Sequence, residues 1–362
     1  MNGTRPEQRA GRARGAGLNI AMVVLLGVLA LLAWLWRALG AYAPAASEPA
    51  HMSMAAEGAP PAADTLDLVT WNLGFASLGR EMDFVADGGR HRRAASVARV
   101  QTNLDAIVKQ LQAEHADVQL FQEVAEPGWA THGVDLKSRL RAEADSSAFA
   151  FAPMVRVTGI PVFGRMVVGQ ATSSRNGIAS AVRHALPSES AFAGLTLQHY
   201  HVLETRLPAR AGAPAWVLFN VHLAAFDDGE LRRAQLAQVL RLALAAHAEG
   251  HLVIVGGDWN LRLAPTGFAS SAAPEHRFWL RDLPDRATPA GWQWAVDPRT
   301  PTNRTLEAPY VPGVNYTSII DGFLVSPGID VLSVETSDLG FEHSDHHPVR
   351  LRVRAKPEPT AR

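Results

Sequence analysis

The stretch His251-Leu-Val-Ile-Val-Gly-Gly-Asp-Trp-Asn260 decides how the chain is expected to fold. Its aliphatic run, partly β-branched, predicts a strand that is buried on both faces. Two glycines end the run and let the backbone pass close to a neighbour. Asp258 and Asn260 follow, so a carboxylate and an amide stand at the end of the strand. Such groups suit a divalent cation, a water molecule or a phosphoryl group, although a polar turn would use the same residues.

Two other predicted strands also end in polar side chains. The segment Leu66-Asp-Leu-Val-Thr-Trp-Asn-Leu-Gly74 predicts a strand that ends at Asn72, and Phe219-Asn-Val-His-Leu223 places His222 at the same kind of position. A turn asparagine and a structural histidine are the plain alternatives. The recurrence of polar groups at strand ends favours one shared site.

Two carboxylates interrupt apolar strands. Glu123 lies in Ala116-Asp-Val-Gln-Leu-Phe-Gln-Glu-Val124, and Asp321 lies in Tyr316-Thr-Ser-Ile-Ile-Asp-Gly-Phe-Leu-Val325. A carboxylate in such surroundings is costly unless it is paired or bound to a cation. We therefore predict that Glu123 is a metal ligand, with a structural ion pair as the alternative, and that Asp321 has a partner.

Two polar turns complete the set of candidate residues. Ser344-Asp345-His346 precedes the last strand and places an acid beside an imidazole, as a solvated turn could also do. Arg175-Asn176 stands before a glycine, where an arginine could hold phosphate oxygens by charge and geometry. A plain turn explains Arg175 and Asn176 equally well.

The composition indicates a globular protein. It has 362 residues, of which 47% are hydrophobic and 19% charged, enough for one large or two medium domains. The net charge of -1 shows no overall basic footprint for nucleic acid. Cysteine is absent, which excludes disulfides and thiolate metal sites. Any metal is then held by oxygen or imidazole ligands, which favours hard divalent ions.

The hydropathy pattern alternates between strands and helices after residue 64. Helices are predicted over 94–114, near 134–145 and over 228–249, and strands over 66–74, 116–124, 195–207, 215–223, 329–336 and 349–353. We predict long loops for the rest of 125–170. No element is assigned within 265–310.

The amino terminus predicts a membrane anchor. Residues 1–17 carry several arginines, and the uncharged run from Ile20 to Trp36 is long enough to insert into a bilayer. Ala41-Tyr-Ala43 has the spacing of a cleavage site, but Pro44 would obstruct cleavage, so we expect the anchor to remain. The predicted organisation is a basic cytoplasmic segment (1–17), a transmembrane anchor (18–40), an Ala/Pro-rich linker (41–63), an extracytoplasmic catalytic domain (64–356) and a disordered tail (357–362).

Acids and imidazoles at strand ends suit metal-assisted attack of water on phosphorus. A cation neutralises phosphate oxygens, an acid orients or deprotonates the water, and an imidazole stabilises the charge that develops. The Gly-x-Ser-x-Gly elbow of a serine hydrolase and the phosphate-binding Gly-x-x-x-x-Gly-Lys loop are both missing from the sequence. A two-metal calcineurin-like phosphoesterase would need an Asp-x-His motif early in the chain and a Gly-Asn-His motif later, and neither is present at those places.

Six motifs in order resemble those of the endonuclease/exonuclease/phosphatase superfamily. They are Trp71-Asn72, Gln122-Glu123, Asn220-Val-His-Leu223, Gly257-Asp-Trp-Asn260, Ile320-Asp-Gly-Phe323 and Ser344-Asp-His-His-Pro348. The resemblance covers about 66–354 and implies an α/β fold, a four-layer α/β/β/α sandwich of two packed mixed β-sheets flanked by helices. The predicted transmembrane helix precedes it. The resemblance also implies a Mg²⁺ (or Mn²⁺) cofactor.

The resemblance also implies a role for each matched residue. Glu123 corresponds to the main metal ligand, with Asn72 and Asp345 nearby. Asp258 resembles the acid that activates water, and the contacts to phosphate correspond to Asn260 and His222. His346 resembles a histidine held protonated by an aspartate, here Asp321. A phosphate-contacting tyrosine found in some members has no clear match, which leaves the assignment of Arg175 and Asn176 open.

We expect a metal-dependent phosphodiesterase or phosphatase whose substrate is a lipid, a small phosphoester or a nucleic acid. An extracytoplasmic endonuclease is the first alternative, and a catalytically inactive binding module is the second. The membrane is an expected partner through the anchor, and no protein partner is predicted.

Overall fold

The computed structural model describes residues 6–54, 62–143, 148–160, 164–190 and 195–357. Three of its helices lie close to their predicted positions, the second, third and fourth along the chain. The second begins after Ser96, whose Oγ atom accepts a hydrogen bond from the Arg99 backbone N–H, as an N-cap residue does. The helices are α1 (Pro6–Leu39), α2 (Val97–Glu114), α3 (Leu136–Glu143) and α4 (Glu230–Ala248).

Most of the strands form two seven-stranded mixed sheets. One sheet has the order β1-β7-β8-β9-β10-β16-β13 and the other β17-β18-β3-β4-β6-β5-β2. The pairs β3/β4 and β9/β10 are parallel, and the other pairs in these sheets are antiparallel. The strands are β1 (Ser47–Pro49), β2 (His51–Met54), β3 (Thr65–Asn72), β4 (Val118–Ala125), β5 (Ala148–Ile160), β6 (Gly164–Ser174), β7 (Ser180–Ala185), β8 (His201–Arg206), β9 (Trp216–His222), β10 (Leu252–Asp258), β11 (Leu261–Arg262), β12 (Arg281–Asp282), β13 (Gln293–Ala295), β14 (Asn303–Arg304), β15 (Thr317–Ser318), β16 (Asp321–Val325), β17 (Ile329–Thr336) and β18 (Val349–Ala355).

The side chains of β3 and β10 alternate between two cores, and this alternation stacks the layers. Leu68 of β3 and Ile254 of β10 meet in the core between the two sheets. Val69 faces the core beneath α2 and α3, and Val253 faces the core beneath α4. Two sheets therefore lie between helical layers, which confirms the predicted α/β/β/α sandwich.

The strand register gathers the polar strand ends at one end of the sandwich. Asp258 lies opposite His222 on one side and opposite Asp321 on the other. Asn72 lies opposite Gln122 in the second sheet. The strands β3, β4, β9 and β10 all finish at this end of the sandwich. We call it the site end. Neighbouring parallel strands place their carboxyl ends together, so residues far apart in sequence meet there.

Two parts of the chain differ from the sequence-based expectation. The range 125–170, expected to be mostly loop, contains β5 and the greater part of β6, which form a long hairpin. Residues 47–54, expected within a linker, form β1 and β2, and each of these short strands pairs with the edge of one sheet. Such strands depend on hydrogen bonds from a neighbour already in place, so their own sequence signals them weakly.

The helix α1 contains the predicted apolar segment. Residues Ala21–Leu39 are long and apolar enough to cross a membrane, and they are not buried against the rest of the protein. This is the one such helix in the described ranges. Residues 1–5 of the basic segment, 55–61 of the expected linker and 358–362 of the expected tail lie outside the described residues.

Candidate active site

Asp321 and His346 form an ion pair at the centre of the site end. The Nδ1 atom of His346 lies 2.9 Å from the Oδ2 atom of Asp321, and both side chains are almost fully buried. Burial acts to lower the pKa of His346, but the carboxylates of Asp321 and Asp258 together raise it well above its ordinary value. The imidazole is therefore protonated at neutral pH, and a fixed positive charge of this kind can stabilise negative charge that develops beside it.

Asp258 lies between two imidazoles at the end of β10. Its Oδ2 atom is 3.8 Å from the Nε2 atom of His346 and 3.6 Å from that of His222. The side-chain amide of Asn72 donates a 3.0 Å hydrogen bond to the same oxygen. Burial raises the pKa of Asp258, and the two imidazoles oppose this shift. A carboxylate with a raised pKa is a stronger base than an exposed one, which suits proton transfer.

Glu123 is held in an unusual backbone conformation. Its φ is 56°, in the left-handed region that non-glycine residues rarely adopt, and it lies where the β4/β6 register shifts between Phe121 and Val124. Such a bulge re-aims a side chain, and backbone strain of this kind is concentrated at functional sites. The bulge therefore explains how an acid in an apolar strand comes to face the site.

The Glu123 carboxylate is surrounded by other acids. Burial and the nearby carboxylate of Asp345 raise the pKa of Glu123 to about 8. Its Oε2 atom is buried and has no hydrogen-bond partner among the described residues. Burial also raises the pKa of Asp345. Each of these two carboxylates makes the charged form of the other less favourable, and one of their oxygens has no partner. A divalent cation between them would fit both observations.

The set Asp258, Asp321 and His346 has ligand atoms within 4.8 Å of one another. An imidazole that forms ion pairs with two carboxylates brings the same atoms equally close together, without a metal. A protonated imidazole offers no lone pair to a metal. The residues that could hold a cation are therefore Glu123 and Asp345. Beside them the Asn72 side-chain amide donates to Asp258, and its Oδ1 atom accepts from the Gly74 backbone N–H.

His222 and Asn260 lie beside Asp258. The Nε2 atom of His222 is 3.8 Å from the Oε1 atom of Glu123. Burial lowers the pKa of His222, so this imidazole is neutral, in contrast to His346. The side-chain amide of Asn260 donates to the Leu223 carbonyl at 2.8 Å, which joins the loops after β9 and β10.

Several neighbours that the sequence did not single out position the site. The Thr302 Oγ atom accepts hydrogen bonds from the backbone N–H groups of Ile320 and Asp321, each at 3.0 Å. The side-chain amide of Asn303 lies 3.1 Å from the Nε2 atom of His346. Asn303 belongs to the range 265–310, which has no regular hydropathy period. Asn303 is placed by an isolated β-bridge to His346. No local sequence signal marks Asn303.

Arg175 and Asn176 lie at the opposite end of the sheet. The β4/β6 pairing places Ser174 opposite Val118, at the start of β4. The Arg175 Nη1 atom donates to the carbonyl of His115, which ends α2. Because β6 runs antiparallel to β4, its last residues lie far from Glu123. Arg175 and Asn176 are therefore not placed where the predicted phosphate contacts require them. The other eight predicted residues converge at the site end.

Comparison with known structures supports the fold. A structure described as endonuclease/exonuclease/phosphatase from Beutenbergia cavernae DSM 12333 aligns with a TM-score of 0.58 and 20% identity over 82% of this chain and 73% of that chain. ANGEL2, described as a 2',3'-cyclic phosphatase, aligns with a TM-score of 0.52 and 16% identity over 81% of this chain and 96% of that one. A Bacteroides vulgatus structure of the same description as the first has a TM-score of 0.51 and 15% identity, over 81% of this chain and 99% of that chain.

The sequence itself also matches a family. No curated protein matches this chain. The sequence model of the Endonuclease/Exonuclease/phosphatase family matches residues 69–346, which span the site from β3 to His346. This family comprises phosphoester hydrolases that generally use divalent metals, in agreement with the buried acids and the imidazole found here. The chain therefore belongs to the endonuclease/exonuclease/phosphatase family.

Proposed function

We propose that this protein is a Mg²⁺- or Mn²⁺-dependent phosphodiesterase or phosphatase held at a membrane by α1. The observation that carries the proposal is the arrangement of Asp258 between a protonated and a neutral imidazole, next to Glu123 and Asp345. This arrangement offers a base, a cation site and a fixed positive charge within one buried cluster. Attack of water on a phosphoester needs all three.

Glu123, Asp345 and Asn72 are the residues that would hold the divalent ion. When bound, the ion neutralises phosphate oxygens and favours charge transfer to the leaving oxygen. The orphaned Oε2 atom of Glu123 and the raised pKa of this residue support the assignment, since a cation would satisfy both. Mg²⁺ and Mn²⁺ both prefer such oxygen ligands.

Asp258 is assigned the task of orienting and deprotonating the attacking water. The water oxygen forms a bond to phosphorus, the bond from phosphorus to the leaving oxygen breaks, and that oxygen takes up a proton. His346, kept protonated by Asp321, stabilises the negative charge on phosphate oxygens as it develops. His222 and Asn260 are assigned contacts to the phosphate, and they lie on the same side of Asp258 as the end of β9.

The anchor restricts where the substrate is found. Arginines precede the apolar part of α1, and the positive-inside tendency supports a cytoplasmic amino terminus with residues 64–356 outside. The candidate substrates there are lipid headgroups, small phosphoesters and extracellular nucleic acid. An extracytoplasmic endonuclease remains the alternative within the same chemistry. An inactive binding module is disfavoured because Glu123, Asp258 and Asp345 all retain their carboxylates.

The proposal is tested with the full chain in detergent, using bis(p-nitrophenyl) phosphate and p-nitrophenyl phosphate as soluble diester and monoester. We expect turnover with Mg²⁺ or Mn²⁺, and its loss with a chelator. His346→Ala should abolish turnover while the circular dichroism spectrum stays unchanged, and Leu332→Ala on an edge strand is the matched control. Absence of turnover with any divalent ion favours the binding module. Near-full activity of His346→Ala contradicts the assigned role.

A further inference from the structure

The site end carries most of the exposed large apolar side chains of the catalytic domain. Outside α1, two such residues lie elsewhere among those described, Leu244 near the end of α4 and Leu332 within β17. The other six belong to loops or helix starts at the site end. They are Val85, Val97, Phe226, Phe278, Val311 and Val314.

The positions of these six residues follow from the chain path and its contacts. Val85 follows Phe84, whose backbone N–H donates to the carbonyl of Leu306, two residues after Arg304. Phe226 comes four residues after His222, and its ring stacks on Phe278 with the centroids 6.0 Å apart. Val97 starts α2, which then runs to the opposite end, where β4 begins. Val311 and Val314 lie in the loop after Arg304, whose backbone N–H donates to the Asp345 carbonyl. Large apolar groups gathered on one surface of a protein indicate a contact with another apolar phase.

The chain enters the sandwich at this same end. Ser47, the first residue of β1, lies opposite His184 of β7. The β7/β8/β9 register places this end of β7 beside the carboxyl end of β9, which is the site end. The chain that leaves α1 therefore reaches the folded domain next to the site and then runs away from it along β1.

Specific contacts fix the segment that follows α1 to the site end. The Tyr42 hydroxyl donates a 2.8 Å hydrogen bond to the carbonyl of Pro153, and its ring packs edge-on against His199. Pro153 pairs with Gly169, which in turn pairs with Val124, the residue after Glu123. The Nη1 atom of the buried Arg183 donates to the carbonyl of Ala45 at 3.3 Å. The segment after α1 is thus bonded to the domain at the level of Glu123.

The β5/β6 hairpin extends past this level. Val155 pairs with Val168, which is also the partner of Ala125, and the pairing of β5 with β6 continues beyond this level to Ile160 and Gly164. Helix α1 contacts β5 but is otherwise exposed over Ala21–Leu39. Anchor, hairpin and apolar residues therefore project from one end of the domain.

From this geometry we infer that the site end docks on the bilayer that holds α1, and that the enzyme takes its phosphoester from a lipid headgroup. The inference rests on the proposed function and names its substrate class. An apolar surface beside an inserted helix gains free energy by entering the headgroup region. A lipid phosphate then reaches Asp258 without leaving the bilayer surface, whereas a long duplex cannot approach a face that is covered by lipid.

The reaction at this surface is an ordinary hydrolysis. The oxygen of water bonds to the lipid phosphorus, and one phosphorus–oxygen bond of the diester breaks. The leaving alcohol takes one proton, and the phosphomonoester carries away the added oxygen. The products are one alcohol and one phosphomonoester. Whether the bond to the headgroup or the bond to the glycerol breaks, one of the two products is water-soluble.

Docking can be measured with a single fluorescent label, because the native chain has no cysteine. We would label Phe226→Cys, Val311→Cys and, as the control, Leu244→Cys, in full-length protein reconstituted in phosphatidylcholine and phosphatidylglycerol vesicles. Leu244 is 42% exposed, against 50% for Val311, and lies at the opposite end. Spin-labelled lipids should quench the labels at 226 and 311 and leave the label at 244 unchanged. Equal quenching at all three positions overturns the inference.

A second experiment addresses the substrate in the same vesicles. The double variant Phe226→Ser/Phe278→Ser should release water-soluble headgroup products about tenfold more slowly than the native chain, since both rings contribute to binding at the interface. Turnover of bis(p-nitrophenyl) phosphate in detergent should be unchanged, and Leu244→Ser should change neither. Cleavage of plasmid DNA without headgroup release overturns the inference and leaves the proposed function intact. Failure with bis(p-nitrophenyl) phosphate as well contradicts the proposed function, whereas the quenching result is independent of it.

Discussion

The Nδ1 atom of His346 lies 2.9 Å from the Oδ2 atom of Asp321, although the two residues belong to different layers of the sandwich. Asp321 begins β16 in one sheet, and His346 precedes β18 in the other. The ion pair therefore joins the two sheets at the site end. The position of the imidazole next to Asp258 depends on how the sheets pack, and on no single segment of sequence.

Asp321→Asn should move the pH dependence of turnover. The substitution keeps the shape of the side chain and removes the charge that raises the pKa of His346, so the imidazole will lose its proton at lower pH. We expect kcat/KM to fall about 100-fold near neutral pH. The decline on the alkaline side should begin at lower pH than in the native enzyme.

A pH profile of kcat/KM for bis(p-nitrophenyl) phosphate measures this change. Asp330→Asn, at an exposed ion pair with Arg354 on the edge of a sheet, is the control and should leave the profile unchanged. An alkaline limb that does not move in Asp321→Asn would mean that His346 does not act in its protonated form.

Glu123→Gln should weaken the dependence on metal. Loss of the carboxylate removes the ligand charge, so the Mg²⁺ concentration for half-maximal turnover should rise at least about tenfold. In the native protein Mg²⁺ should also raise the melting temperature, because it binds only the folded state. The variant should lose this increase. Unchanged half-saturation together with an unchanged thermal shift would contradict the assignment of Glu123 as a ligand.

Arg175→Ala and Asn176→Ala should retain native turnover. Both residues lie at the end of the sheet that is opposite to Glu123, so neither can reach a phosphate held there. We expect kcat/KM within about twofold of the native value, the range of surface substitutions away from a site. Asn260→Ala, measured in parallel, should reduce it. A large loss in Arg175→Ala would place a phosphate contact at this residue after all.

Asp87→Asn should stabilise the protein above neutral pH. Burial raises the pKa of Asp87 to about 7, and its Oδ1 atom has no hydrogen-bond partner in the described ranges. The unfolded carboxyl group loses its proton near 3.8, so the folded state binds more protons between these pH values and loses stability as the pH rises through them. Removal of this loss should raise the free energy of unfolding by up to about 4 kcal/mol near pH 8.

Asp83→Asn provides a control with the opposite sign. Burial acts to raise the pKa of Asp83, but hydrogen bonds from the backbone N–H groups of Arg90 and His91 lower it to about 2. Its charged form therefore stabilises the fold above the unfolded pKa, and this contribution is lost as the pH falls toward 2. The substitution should destabilise the protein near pH 8. Urea unfolding of both variants at several pH values tests the pair, and a shift of the same sign in both would contradict the two pKa assignments.

The sequence by itself determined the elements that local patterns encode. The apolar run before Gly256 predicted β10, the uncharged run after Ile20 predicted α1, and the acids in apolar strands marked Glu123 and Asp321. The order of six motifs predicted the sandwich and the family. The elements and the family were predictable because hydropathy period and motif order are read directly along the chain, and the cost of a buried charge likewise marks a residue within a short segment.

The tertiary structure decided everything that depends on strand register and sheet order. It formed the β5/β6 hairpin, brought residues 47–54 into the sheet edges, carried Arg175 away from the site and placed Asn303 beside His346. It also set the entry of the chain at the site end. Pairing partners are chosen by hydrogen bonds and packing between segments that are distant in sequence, so no local pattern encodes them.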